Sequence, residues 1–328
     1  EERPGPVHLE LPEDVAAEEV ADGAHLVPPH PVELPVASRA ALDRAATMVL
    51  AAERPLLMLG AAASRPRTTE GLTGFVRRTG LPFFTTQMGK GTVPGGTDLY
   101  MGTAALCERD HVHDAIDRAD LILAVGHDTV EKPPFIMGPG GPKVIHVGYT
   151  PAGVEEVFFP HAEVVGDVGP SLELLADRLE GKLRNAGALL PLRDGILARI
   201  REREDEGRFP PTPQRIVHDV RRVMPEDGIV ALDNGMYKIW FARNYRTRMA
   251  NTLLLDNALA TMGAGLPSAM MAAMLHPGRR VLAVCGDGGF MMNSQEMETA
   301  VRLKLNLVVL VLDDGAYGMI RWKQAVDC

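Results

Sequence analysis

Cysteine is scarce in this sequence: Cys107, Cys285 and Cys328 are the only thiols in 328 residues. Thiols this far apart form neither a disulfide framework nor a metal-ligand spacing, and a reducing, cytoplasmic setting fits them best. Long apolar runs are missing too. The longest, residues 305–312, is interrupted around Asn306 and falls short of the roughly 20 residues that span a bilayer, so no membrane partner is expected. Positive charge is in deficit, with 34 Lys and Arg against 43 Asp and Glu and a net charge of −9. A nucleic-acid binder needs the opposite balance to displace counterions. No repeat or low-complexity tract is evident. What remains is 46% hydrophobic and 23% charged, the balance of a packed globular chain long enough for two ordinary domains.

Proline and charge dominate the first forty residues, where only residues 7–11 can form a short strand. This stretch, 1–35, reads as the tail of a preceding domain and a linker, or as a flexible arm. From Ser38, a natural helix cap, the pattern changes. Helices are expected at 39–52, 69–78, 110–119 and 170–183, and strands at 55–59, 82–85, 121–125, 143–147 and 162–165. A glycine-rich loop is expected after the second strand. Short buried strands alternating with amphipathic helices predict an α/β fold with a doubly wound parallel sheet, six-stranded, over residues 36–185. Residues 192–207 carry many charges and no strong apolar stripe, so a solvated helix within a linker (186–207) is expected. The alternation then resumes, with helices at 212–223, 265–275 and 294–303 and strands at 228–232, 280–285 and 305–312. A second α/β domain therefore occupies 208–328 and reads as unfinished at its end.

The most informative stretch is the strand ending at Cys285 and followed by Gly286-Asp287-Gly288-Gly289. Small residues there let backbone approach an anion, and the next helix offers its N-terminus. A lone GDG is common in ordinary turns. The following strand ends in Asp313-Asp314-Gly315-Ala316, one crossover of about 30 residues further on. Adjacent parallel strands bring both carboxyl ends to one edge, so Asp287 and Asp314 can share a crevice. Two acidic oxygens beside a phosphate-binding turn suit Mg²⁺, a hard octahedral ion usually completed by substrate phosphates and water. The competing reading is a turn that merely ends a strand. His111, His113, His127 and His146 form no ligand cluster and read as solvated or satisfied side chains.

These motifs resemble the signature of thiamine diphosphate (ThDP) enzymes: GDG, about two dozen residues, then a pair that is usually two asparagines. Here the pair is Asp313-Asp314, with Asp314 at the second ligand position and the Ala316 carbonyl as the implied third ligand. Residues 286–300, 260–267 and 317–320 resemble the acetolactate synthase-like branch, and residues 3–15 resemble the last strand of its pyrimidine-binding domain. The resemblance implies that Asn234, Gly235 and Met236 contact the diphosphate, mostly through backbone. Gly286, Asp287, Gly288, Gly289, Asp314, Ala316, Tyr317, Gly318 and Met319 would surround the cofactor. Met291, with Phe290, Met292 and Asn293, would wall it, while Met319 and Trp322 would approach the substrate. Met262 would wedge the cofactor into its bent form, and the Ala260 carbonyl would accept from the aminopyrimidine. Met262 precedes its helix, whereas Met270, Met271 and Met274 read as core packing.

The implied activity is that of an acetolactate synthase-type carboligase: a transferase that decarboxylates pyruvate and joins the two-carbon unit to a second 2-keto acid. Such enzymes serve branched-chain amino acid biosynthesis or a catabolic route, and the residues do not decide between them. The central domain resembles one that binds FAD in biosynthetic members but not in catabolic ones; Gly60, residues 87–91 and Gly126-His127-Asp128 follow strands where a nucleotide can sit, without a GxGxxG fingerprint. In the family, a neighbouring subunit's pyrimidine-binding domain supplies a glutamate, within a homodimer or homotetramer. The 328 residues alone are therefore expected to be inactive. Alternatives are another ThDP lyase or decarboxylase, of sulfoacetaldehyde or phenylglyoxylate type, and a nucleotide-binding module without chemistry.

Overall fold

The computed structural model describes all residues except 1–7, 21–27, 29–32, 34, 94–96, 106–109, 132–135, 138–139, 155–157, 258 and 328. Two sheets, parallel throughout, organise the chain. The first contains β1 (Pro55–Leu59), β2 (Phe83–Thr86), β3 (Tyr100–Ala104), β4 (Leu121–Val125), β5 (Lys143–Gly148) and β6 (Ala162–Val165), in the order β3-β2-β1-β4-β5-β6. The strand order reverses direction between β1 and β4, whose residues are all buried. Continuous apolar strands of this kind need helices on both faces. One face carries α2 (Arg39–Ala51), α3 (Pro66–Thr79) and α5 (Val168–Leu179). Ser38 caps α2 by accepting from the Ala41 amide at 3.3 Å, and Leu42, Ala45, Ala46 and Val49 form its buried stripe. Gly80, at φ +65°, ends α3 in the left-handed conformation that favours glycine. The helices α3 and α5 meet backbone to backbone: a Cβ on Gly71 would lie 2.5 Å from the Gly169 carbonyl.

The structure departs from the sequence reading in several places. The strand β3 lies inside the stretch expected to be a glycine-rich loop. The helix expected at 110–119 contracts to one turn, α4 (His113–Ile116). Asp110 is held outside that turn because its carboxylate accepts from the Ala105 amide at 2.7 Å and pairs with Arg243. Residues 8–11 are exposed and form no strand; Val7 lies outside the described residues, and a single exposed turn, α1 (Glu13–Ala16), follows. The charged segment expected to be solvated holds α6 (Arg193–Arg201), which buries Ile196, Leu197 and Ile200 against the second face of the sheet. Three apolar residues at helical spacing suffice, while Arg199 and Arg201 lie toward the surface.

The second sheet has the order β10-β9-β7-β8, built from β7 (Ile229–Leu232), β8 (Leu253–Leu255), β9 (Val281–Gly286) and β10 (Leu307–Leu312). Its helices are α7 (Pro213–Val223), α8 (Met236–Asn244), α9 (Gly265–Leu275), α10 (Asp287–Asn293), α11 (Glu296–Arg302) and α12 (Gly318–Asp327). The three-leucine strand β8 was not anticipated. The expected helix at 294–303 is preceded by α10, which starts at Asp287 itself. Both sheets are thus doubly wound, and the second reverses direction between β7 and β9. Of the methionines assigned to the core, Met270 is buried, but Met271 and Met274 are about half exposed, because only one face of α9 meets the sheet. No helix among the described residues is long and apolar enough to cross a membrane.

The two units touch along a polar seam. Arg243 pairs with the fully buried Asp110 carboxylate at 2.6 Å. Asn257 donates to the Glu131 carbonyl at 2.8 Å and accepts from Gln87 at 2.5 Å. Because α3 and α5 leave no room for a methyl group at Gly71, Gly71→Ala is expected to cost about 1–3 kcal/mol, measured as a drop in the urea unfolding midpoint.

Candidate functional site

Three strands of the second sheet end side by side. Leu232 of β7 pairs with Val284, and Leu312 of β10 pairs with Gly286. Asp233-Asn234-Gly235, Gly286-Asp287-Gly288-Gly289 and Asp313-Asp314-Gly315-Ala316 therefore emerge along one carboxyl edge, at the point where the strand order reverses. Open α/β sheets place their ligands in that crevice.

Asp233 organises the edge. It is fully buried, and its Oδ1 accepts from the amides of Asn234 at 2.7 Å and Gly263 at 2.8 Å. Its Oδ2 has no hydrogen-bond partner and lies where a Cβ on Gly289 would fall. Burial raises the Asp233 pKa, against the lowering effect of the surrounding amides. Asn234 is buried as well. Its side chain donates to the Thr261 carbonyl at 2.8 Å and accepts from Lys238 at 2.6 Å, which fixes the side chain within the framework of the loop. Lys238, one turn along α8, also donates to the Asp256 carbonyl, and burial pushes its pKa down to about 8. The Tyr237 hydroxyl accepts from the Gly286 amide at 2.9 Å and joins the first loop to the second.

The turn before α9 is clamped on both sides of Met262. The Thr261 amide donates to Asp256 at 2.9 Å, and the Gly263 carbonyl accepts from Asn293 at 2.6 Å. Met262 itself is half-buried, held outside the helical stripe. Ala260 has φ +50°, a left-handed conformation unusual for a residue with a Cβ.

Asp287 opens α10, and its carboxylate has no hydrogen-bond partner among the described residues. Asp313 Oδ1 accepts from the Gly315 amide at 2.9 Å and Asp314 Oδ1 from the Ala316 amide at 3.2 Å. Both acids thus turn the chain as side-chain-capped turns do, while Asp314 Oδ2 faces Gly318 and receives no backbone donor. Gly288 leaves room for the ring of Tyr317, since a Cβ there would lie 2.5 Å from it. The first-turn amides of α10 have no intrahelical acceptors. No group of three His, Cys, Asp or Glu side chains among the described residues could hold a metal. A hard cation here would combine two carboxylates with backbone carbonyl and ligand oxygens, which is the habit of Mg²⁺.

The remaining expected residues fall around this edge. Gly235 caps α8 and Met236 starts it, beside Gly318. Ala316 and Met319 are half-buried, whereas Met291 and Trp322 are 70% and 57% exposed. Phe290 packs on the core of this sheet. Asp233, Tyr237 and Lys238 were not anticipated as site residues; the signal for Lys238 is its place one helical turn after Asn234.

A second cleft, of about 300 Å³, lies where the first sheet reverses direction, bordered by Ala61, Gly126, His127, Glu131, His146 and Phe158. Glu131 fills its floor. Its carboxylate accepts from the Ala61 amide at 2.8 Å, the Thr86 hydroxyl at 2.6 Å and the Asp128 amide at 3.0 Å. Burial pushes its pKa up to about 7. His127 and His146 are buried beside Phe158 rather than solvated, and burial lowers both pKa values, that of His127 to about 4.

Comparison with known proteins gives two family matches. Residues 42–175 match the model described as thiamine pyrophosphate enzyme, central domain, and residues 233–327 match thiamine pyrophosphate enzyme, C-terminal TPP binding domain. A catabolic acetolactate synthase of Raoultella terrigena is 32% identical over 327 residues, covering 97% of this chain and 58% of that protein. An acetolactate synthase of Bacillus subtilis is 27% identical, covering 98% and 57%. A probable acetolactate synthase large subunit of Methanocaldococcus jannaschii is 29% identical, again covering 98% and 57%. The chain thus spans somewhat over half the length of these relatives.

Relieving the left-handed strain at Ala260 is worth about 1–2 kcal/mol, and the extra unfolded-state freedom of glycine returns roughly 0.4–1 kcal/mol. Ala260→Gly is therefore expected to raise the unfolding free energy by up to about 1 kcal/mol in a denaturant titration.

Proposed function

The chain belongs to the thiamine pyrophosphate enzyme family, on its acetolactate synthase-like branch, and we propose that the intact protein is a ThDP- and Mg²⁺-dependent carboligase acting on 2-keto acids. One observation carries this reading: Asp287 and Asp314 follow adjacent parallel strands, each with a carboxylate oxygen that no backbone group takes up. The donor set fits the ion, while the glycines at 286, 288 and 289 make room for Tyr237, Tyr317 and Asp233.

Asp287, Asp314 and the Ala316 carbonyl would hold the metal. The amides after Gly286 and Asn234 would bind the diphosphate oxygens. Met262 would press on the cofactor from its clamped turn, and the Ala260 carbonyl would accept from the aminopyrimidine. Once bound there, ThDP would supply carbanion chemistry suited to decarboxylation of a 2-keto acid and transfer of its two-carbon unit to a second one. Leu259, Met291, Tyr317 and Trp322 leave an apolar rim exposed around the edge. That rim supports a site completed by the pyrimidine-binding domain of a neighbouring subunit, in a homodimer or homotetramer.

Calorimetry on the full-length protein tests the anchoring: Asp287→Ala and Asp314→Ala should each abolish Mg²⁺-dependent ThDP binding, and unchanged affinity in either removes the metal assignment. Acetolactate formed from pyruvate, as opposed to simple aldehyde release, separates the carboligase from a decarboxylase.

The central cleft does not fit a flavin dinucleotide. Its pyrophosphate would need the free amides after β1, and the Glu131 carboxyl group already occupies the Ala61 amide. Added FAD is therefore expected to keep its full fluorescence in the presence of the protein. The same carboxyl group gives a pH signature. Its folded-state pKa is raised from 4.5 to about 7, so its contribution to stability is full below about pH 4.5 and is lost as pH rises to about 7. Glu131→Gln should remove that decline, read as the difference between urea midpoints at about pH 5 and about pH 8.

A further inference from the structure

At the seam between the two units, a pocket of about 30 Å³ is lined by Thr85, Lys90, Tyr100, Arg246 and Thr247, with Phe83 and Val93 behind them. Lys90 is buried, and among the described residues its ammonium group donates to one acceptor, the Thr103 hydroxyl at 2.9 Å. That hydroxyl also contacts the hydroxyls of Thr85 at 2.9 Å and Tyr100 at 2.8 Å. Arg246 enters from the loop between α8 and β8, and among the described residues no carboxylate pairs with it or with Lys90. Asp110, the acid whose charge reaches Lys90, is committed to Arg243 and the Ala105 amide. Arg193, Arg201 and Arg248 add further positive charge around Arg246. Two cations converging on one polar pocket without a counter-ion are costly in a partly desolvated place.

We propose that this pocket binds a small inorganic anion, which links Lys90 and Tyr100 of the first unit to Arg246 and Thr247 of the second. The volume admits one compact ion; a bound water needs roughly 10–15 Å³. The two contacts among the Thr85, Tyr100 and Thr103 hydroxyls use two of their three protons, which leaves one O–H to donate into the pocket. Burial first, then the charge of Arg246, lowers the Lys90 pKa to about 7, against the opposing pull of Asp110. The groups facing Lys90 are Thr103 and Tyr100 on β3, Thr85 on β2 and Arg246 beyond α8. An anion favours the protonated lysine, so binding takes up a proton near neutrality and weakens as pH rises through about 7.

The test is isothermal titration of the full chain with sodium sulfate and, separately, sodium chloride, in a gluconate background whose anion is too large for the pocket. Saturable binding of one ion is expected, with a parallel rise in melting temperature. The two salts distinguish a tetrahedral from a spherical occupant. Lys90→Met and Arg246→Met should each weaken binding about tenfold or more. Lys90→Arg, which keeps the charge and the fold, should retain sulfate affinity and lose its fall between about pH 6 and pH 8. Absence of saturable binding by either ion at about pH 6, or undiminished affinity in folded Lys90→Met and Arg246→Met proteins, overturns the proposal. So does a pH profile that is the same in Lys90→Arg as in the parent.

Discussion

A single buried carboxylate holds the candidate site together. Asp233 sits at the end of β7, where the second sheet reverses direction, and gathers amides from its own loop and from the turn that carries Met262. A buried acid without enough donors is expensive, and here one oxygen is satisfied while the other is packed against glycine. That requirement explains the local sequence. Gly289 and Gly265 lack side chains because Asp233 occupies the space that their Cβ atoms would need. The glycines of the GDG motif thus serve packing as well as any phosphate. Tyr237 and Lys238 extend the same framework outward, one bonding the Gly286 amide and the other fixing the Asn234 side chain.

The two sheets use one architecture in two ways. Each reverses its strand order once, which opens a crevice beyond the carboxyl ends of two central strands. In the first sheet that crevice holds a side chain of the protein, Glu131, whose carboxylate bridges the turn after β1, the end of β2 and the turn after β4. In the second sheet the acids after β9 and β10 keep oxygens free. The first crevice satisfies its own amides; the second leaves carboxylate oxygens without a partner among the described residues. This contrast, more than the fold that both share, points to where ligand chemistry belongs.

Much of this was legible in the sequence because buried parallel strands carry continuous apolar runs. The strands at 55–59, 121–125 and 162–165 and the helix at 265–275 fall where apolar pattern places them. The pairing of β9 with β10 follows from the spacing of their acidic turns. What pattern missed has physical reasons. The strand β3 carries a glycine and a threonine among its five residues, and it becomes a strand through a register shift against β2 and through Thr85–Thr103 contact across the pair. The strand β8 has only three residues. In α6 the apolar stripe is three residues wide and drowned by arginines in any average. Asp233 was unremarkable as a residue; only its burial, which depends on contacts with residues 30 positions away, reveals its role.

The Arg243–Asp110 pair has a consequence for motion. Its carboxylate is wholly enclosed and also holds the Ala105 amide, so separating the two units would break a charge-assisted hydrogen bond worth about 1.5–3 kcal/mol. Hinge opening at this joint is accordingly a rare thermal event, and the pair of sheets should tumble as one body.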